Sequence, residues 1–226
     1  TAIIEMSAAS GLDLIPLRPG NVMDTTTYGT GEMIADAIER GCRNFIIGVG
    51  GSATNDAGTG MMQALGVRFT DEEGNEVEKG GKSLSSIRHI DTQNQLSELQ
   101  DCTFHIATDV TNPFYGPQGA ACIFGPQKGG DEEQIKILDR GMKHLAGLIF
   151  ETTGKDISYL PGSGAGGGMG GGCVATKKSL SMNHVCRFKV LTIRPNRLKS
   201  LALPQSRNTK APEPSSIRGR PTVWNV

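Results

Sequence analysis

The sequence predicts an α/β fold built on a mostly parallel sheet. Three observations support this. Short apolar runs alternate along the chain with segments of helical period. One of those runs, "NFIIGVG", has the continuous apolar character of an interior strand, and "TFHIATDV" reads as a further strand. Polar or glycine-rich loops follow both, the arrangement in which open α/β sheets bind ligands at strand ends.

Taken in order, "AIIEM" (Ala2–Met6) reads as a short buried strand, and "SAASGLDLIPLRPGN" as a loop with two prolines. "GTGEMIADAIERGCRN" reads as a helix. Met33, Ile34, Ala37 and Ile38 share one face, and Gly41 stands where a helix-ending glycine belongs. "NFIIGVG" (Asn44–Gly50) predicts a strand buried on both faces. A helix is expected around Gly60–Leu65, then a hairpin in "VRFTDEEGNEVE" turning at Glu73-Gly74-Asn75. Thr103–Val110 is the next strand. Residues 131–150 predict a long helix with Ile135, Leu138, Met142, Leu145 and Leu148 on one stripe. Pro161–Gly172, "PGSGAGGGMGGG", reads as a second glycine-rich loop.

Composition excludes some functions. Of 226 residues 37% are hydrophobic, and the net charge is zero, which argues against a whole-chain nucleic-acid or membrane partner. The balance conceals a split. Residues 1–172 carry 12 Lys/Arg and 22 Asp/Glu, whereas residues 173–226 carry 11 Lys/Arg and one acid, Glu213. The five cysteines form no CxxC pair and read as thiols of a reducing, cytoplasmic compartment. The four histidines have no zinc spacing, and no Gly-x-Ser-x-Gly elbow is present.

The loop "GVGGSATNDAGTGMMQALG" (Gly48–Gly66) holds six glycines between a strand and a helix. Gly48-x-Gly50-x-x-Ala53 matches a relaxed dinucleotide fingerprint, but polar "TNDAGTG" separates it from the helix it should open. A phosphate P-loop is absent, because the leading glycine before "GKS" would fall at Glu76. The backbone amides of Gly50, Gly51 and Ser52 can instead form an anion cradle. Thr54, Asn55 and Asp56 can bind hydroxyls or a hydrated Mg²⁺, although Asp56 can equally cap the next helix. Asp109 stands at a strand's carboxyl end with Asn112 beside it; an Asx turn before Pro113 accounts for the same residues. Lys128, in "FGPQKGG", is either a phosphate partner or a solvated lysine.

Several segments converge on one family. "FIIGVGGSATNDAGTGMMQALG", "DVTNPFYGPQGAACIFGPQKG" and "LPGSGAGGGMGGG" resemble successive blocks of the bacterial glycerate kinases of the 2-kinase type. "IIEMSAASGLDLI" and "TTTYGTGEMIADAI" resemble the preceding blocks. The resemblance implies a two-domain α/β enzyme that uses ATP and Mg²⁺ to convert D-glycerate to 2-phosphoglycerate. On that reading Asp56, Asp109 and Lys128 are catalytic, and Asp109 also holds the metal. Gly50, Gly51, Ser52, Thr54, Asn55 and Asn112 bind substrate, and Gly164, Gly166 and Gly167 approach the nucleotide. A homodimer is compatible with it; a membrane partner is not expected, and a nucleic acid only if the basic tail is genuine. The alternative is a non-catalytic module for a nucleotide or small acid.

The chain also departs from the family pattern. The Lys-Asp-Ser and Ala-Asp-Gly-Gly-Glu-Gly segments and the late Gly-Glu-Gly segment are missing, and the resemblance stops near Cys173. The expected division is therefore a partial, incomplete kinase-like region at 1–172 and a basic tail at 173–226. The tail reads as disordered or as the product of a frameshift, and impaired turnover is expected from the chain as written.

Overall fold

The computed structural model describes residues 1–16, 18–175, 188–192 and 224–225. Chain order is β1 (Ala2–Glu5), α1 (Ser7–Ser10), α2 (Asn21–Asp24), α3 (Tyr28–Glu39), β2 (Asn44–Gly48), α4 (Thr59–Ala64) and β3 (Arg68–Thr70). Then follow β4 (His89–Asp91), β5 (Thr103–Thr108), α5 (Ala120–Phe124), α6 (Glu132–Thr153), α7 (Met169–Ala175), β6 (Phe188–Thr192) and β7 (Trp224–Asn225). The main sheet has the order β6-β5-β2-β1-β7. Its first four strands are parallel, and only β7 is antiparallel to its neighbour. The α/β class with a mostly parallel sheet is therefore as the sequence predicts. Most of the expected tail lies outside the described residues, but β6 and β7 come from it, where no strand period is legible.

Apolar side chains on one sheet face meet the helices. Phe45 and Phe104 stack on neighbouring strands with ring centroids 4.7 Å apart. Ile4, Ile47 and Ile106 are fully buried beside them. The opposite face differs from expectation. Burial of β2 alternates rather than covering both faces, and Ile3 and Ile46 remain 39% and 36% exposed. Ile3, Ile46 and His105 form one row across this open face. An all-apolar strand does not reveal which of its faces is covered, because both faces read alike.

Helix ends follow their local chemistry. After α3, Gly41 adopts a φ of +86°; its amide bonds the Ile38 carbonyl, and the Cys42 amide bonds that of Ala37. That is the paired pattern by which glycine ends a helix. At the start of α6, Asp131 and Gln134 cap each other reciprocally. Leu138, Met142, Leu145 and Ile149 then bury one stripe of it; each such side chain contributes about 1.5–3 kcal/mol.

Two local expectations are corrected. The turn at 71–75 forms, with the Asp71 amide bonding the Asn75 carbonyl and the Val77 amide that of Phe69, but the return segment adds only the short Thr70–Glu76 bridge, and β3 pairs along its length with β4. The second glycine-rich loop ends at Gly168, because α7 begins at Met169 and takes Gly170, Gly171 and Gly172 into a helix. Glycine is required there by packing: a Cβ on Gly171 would lie 2.6 Å from the Phe114 ring. A Cβ on Gly172 would meet the Ala57 carbonyl. Among the described residues no helix is long and apolar enough to cross a membrane.

Candidate functional site

The carboxyl ends of β1, β2 and β5 open onto a cleft of about 600 Å³. Glu5, Gly48 and Thr108 mark the strand ends. Val49 to Ser52 form one wall, Gly166 and Gly167 another, and Phe124, Gln127 and Lys128 a third. Parallel sheets bind ligands at this edge because the loops that follow the strands converge there.

The wall at 50–52 is held by pairing with the segment after β1. The Leu12 amide bonds the Gly51 carbonyl at 3.0 Å, and the Ala53 amide bonds that of Ser10 at 2.9 Å. Carbonyls are thus engaged on one side of this ribbon. The amides of Gly50, Gly51 and Ser52 have no acceptor among the described residues, and neither do those of Gly166 and Gly167. Gly51, Gly166 and Gly167 adopt φ of +66°, +61° and +70°. Backbone of this kind presents N–H groups together and suits an anion.

Lys128 lies at the same cleft and is only 2% exposed. Its Nζ donates to Ser52 Oγ at 2.9 Å and to the Thr54 carbonyl at 2.7 Å. An ammonium has three donors, so one remains for a ligand. Burial lowers its pKa from 10.5 to about 8, with the Asp56 charge acting in the opposite sense. No carboxylate forms an ion pair with it among the described residues. A solvated lysine, the other reading of the sequence, is therefore ruled out by its burial.

Asp109 reaches the cleft as expected and is exposed there. Asp56 does not line it. Asp56 is fully buried, and its carboxylate accepts from the Thr27 amide at 2.7 Å, Thr27 Oγ1 at 2.9 Å and Thr26 Oγ1 at 3.2 Å. The Gly58 and Gly60 amides complete its shell at 3.1 and 3.3 Å. Burial pushes its pKa upward while these hydrogen bonds hold it down. Asp56 therefore ties the start of α3 to the turn that leads into α4 rather than lining the cleft, and the N-cap position of α4 is taken by Gly58.

The remaining expected residues divide. Gly50, Gly51, Ser52, Gly166 and Gly167 line the cleft. Thr54 is 1% exposed and belongs to a neighbouring cleft of about 500 Å³ across the ribbon. Asn55 is buried against Met142, donating to its sulfur at 3.2 Å. Asn112 donates to the Gln118 carbonyl at 2.8 Å, and its own carbonyl accepts from the Gly164 amide at 3.0 Å. Asn112 and Gly164 therefore hold loops together behind the cleft. Thr26 and Thr27, which fix Asp56, and Glu5, which lines the cleft, are absent from the sequence expectations. The "TTT" run before α3 is the only signal for the threonines, and an acid at a strand's carboxyl end the only one for Glu5.

Residues 1–190 match the pattern described as the glycerate kinase family. The chain belongs to that family. The matched range runs past Gly172, where the sequence reading ends the resemblance. The glycerate 2-kinase of Escherichia coli K12 is 49% identical over 175 residues, which is 77% of this chain and 46% of that protein. The glycerate kinase of Haemophilus influenzae is 49% identical over 172 residues, 76% of this chain and 46% of that protein. A crystal structure described as glycerate kinase 2 from Salmonella typhimurium LT2 superposes with a TM-score of 0.77 at 42% identity. It covers 84% of this chain and 48% of its own. The chain thus spans about half the length of the relatives it matches.

Proposed function

We propose that the cleft serves ATP-dependent phosphorylation of D-glycerate to 2-phosphoglycerate. Lys128 is the observation that carries this reading. A buried ammonium with a spare donor, facing five amides without acceptors, matches the anionic groups of a phosphoryl donor and a small acid. Phosphoryl transfer depends on positioning and on offsetting charge more than on covalent chemistry. Lys128 and the amides of Gly50–Ser52, Gly166 and Gly167 would supply both. Asp56 acts through its neighbours, fixing the loop that carries Ser52 and Thr54, and Asn55 and Asn112 likewise position backbone.

Mg²⁺ fits the donor set at the cleft. This ion is commonly held by one or two carboxylates together with substrate phosphates and water, and Asp109 offers an exposed carboxylate at the strand end. When bound, the ion would offset charge on the phosphoryl oxygens. Among the described residues no group of three metal-ligating side chains is assembled, so the ion would be shared with the nucleotide.

The test is a calorimetric titration of the purified chain with a non-hydrolysable ATP analogue and Mg²⁺, followed by D-glycerate, together with an assay for ADP release. Saturable binding of both ligands supports the proposal. Absence of binding by either one overturns it.

A further inference from the structure

Glu5, the last residue of β1, has a place in the cleft that the roles above leave unused. Its side chain is exposed and forms no hydrogen bond or ion pair among the described residues. Its position is nonetheless defined. In the register, Glu5 pairs with Gly48 on β2, which in turn pairs with Ala107 on β5. A Cβ built on Gly48 would lie 2.5 Å from Glu5 Oε2, 2.8 Å from Oε1 and 2.9 Å from the carboxyl carbon. The carboxylate therefore lies across β2, in the space a side chain at position 48 would fill.

This gives the cleft two chemically distinct ends. Lys128 and the amides without acceptors take an anion. A carboxylate only accepts hydrogen bonds, so at Glu5 it rejects a phosphate or carboxylate and takes a hydroxyl. A ligand that suits both ends is anionic at one end and hydroxylated close by. We propose that Glu5, seated over Gly48, recognises the hydroxyl at which the substrate hydroxy acid accepts the phosphoryl group. The inference rests on the proposed function and assigns to it a specificity residue. Gly48 is the reason the carboxylate can lie there, and Ala107 keeps the next position along the row small.

The test compares D-glycerate with 3-hydroxypropionate, which lacks only the 2-hydroxyl, by ligand-observed NMR titration of the purified chain. The wild-type chain is expected to prefer D-glycerate roughly tenfold or more, the scale of a hydrogen bond to a charged group. Glu5→Gln, which keeps only a neutral acceptor, should weaken the preference and Gly48→Ala should abolish it, both leaving binding of a non-hydrolysable ATP analogue with Mg²⁺ intact. Gly48→Ala does so without removing a charge, since it need only displace the far end of the Glu5 side chain. A preference undiminished in Glu5→Gln or surviving Gly48→Ala, or its absence in the wild-type chain, overturns the inference alone. So does a loss in Glu5→Gln of nucleotide or metal binding in place of glycerate discrimination. If the wild-type chain binds no glycerate, the functional reading fails and the inference falls with it.

Discussion

Lys128 and Thr54 lie 74 residues apart in sequence, yet the Lys128 Nζ donates to the Thr54 carbonyl at 2.7 Å. The bond ties the segment after α5 to the loop after β2 and draws an ammonium under the cleft floor. Replacing Lys128 by Met separates its two possible roles. Loss of the cation should weaken binding of a non-hydrolysable ATP analogue at least tenfold, on the scale of a charge-assisted hydrogen bond. Thermal stability should be unchanged or higher, because a buried ammonium is costly and methionine fills similar space. Unaltered nucleotide affinity would show Lys128 to be structural.

The pH dependence follows from the same residue. Its pKa falls from 10.5 to about 8 on folding. Between those values the unfolded chain binds more protons than the folded one, so this group makes stability rise with pH across that window. Anion binding runs the other way, because Lys128 loses its charge as pH passes about 8. Phosphate-ligand affinity should therefore fall above pH 8 in the wild-type chain and stay level in Lys128→Arg. Affinities measured from pH 6.5 to 9.5 on both proteins provide the check.

Asp56→Ala should unfold the loop rather than merely slow a reaction. The substitution strands the Thr27, Gly58 and Gly60 amides in a buried site, at about 1–3 kcal/mol for each group left unsatisfied. A loss of about 3 kcal/mol or more is expected in urea unfolding. Asp109→Asn, at an exposed position, should leave unfolding unchanged and weaken only binding of the Mg²⁺ nucleotide. If the two variants behave alike in both measurements, the division between a positioning and a ligand-facing carboxylate is wrong.

Much of this was legible in the sequence, and the exceptions share a cause. The α6 stripe, the Gly41 helix end and the placing of Asp109 depend on neighbours within a few residues. Asp56 could be read only as a cap or a ligand, because Thr26 and Thr27, which fix its role as a tie between segments, lie thirty and twenty-nine positions earlier. Lys128 sits among glycines in a segment that looks solvated, and its burial depends on Ser52 and Thr54. Glu5 is invisible until the register places it beside Gly48. In each case tertiary contacts supply what local pattern cannot.

Gly167→Ala tests how closely the second glycine segment approaches the first. A Cβ there would collide with the Thr54 carbonyl, and the φ of +70° already disfavours alanine. Neither strand of backbone can yield as a side chain does. A loss of at least about 2 kcal/mol is expected, whereas Gly147→Ala, which meets nothing within 4 Å, should be neutral or stabilising. Differential scanning of the two variants side by side gives the comparison.

The open row Ile3–Ile46–His105 sets a rule for which substitutions the sheet will accept. Serine or threonine at Ile3 or Ile46 should be tolerated and should improve solubility. The same changes one position along, at Ile4 or Ile47, should be lost from any library selected for soluble protein. Tolerance along β1 and β2 should therefore alternate with a period of two, so that a saturation screen would reveal the sidedness of a sheet whose apolar strands conceal it.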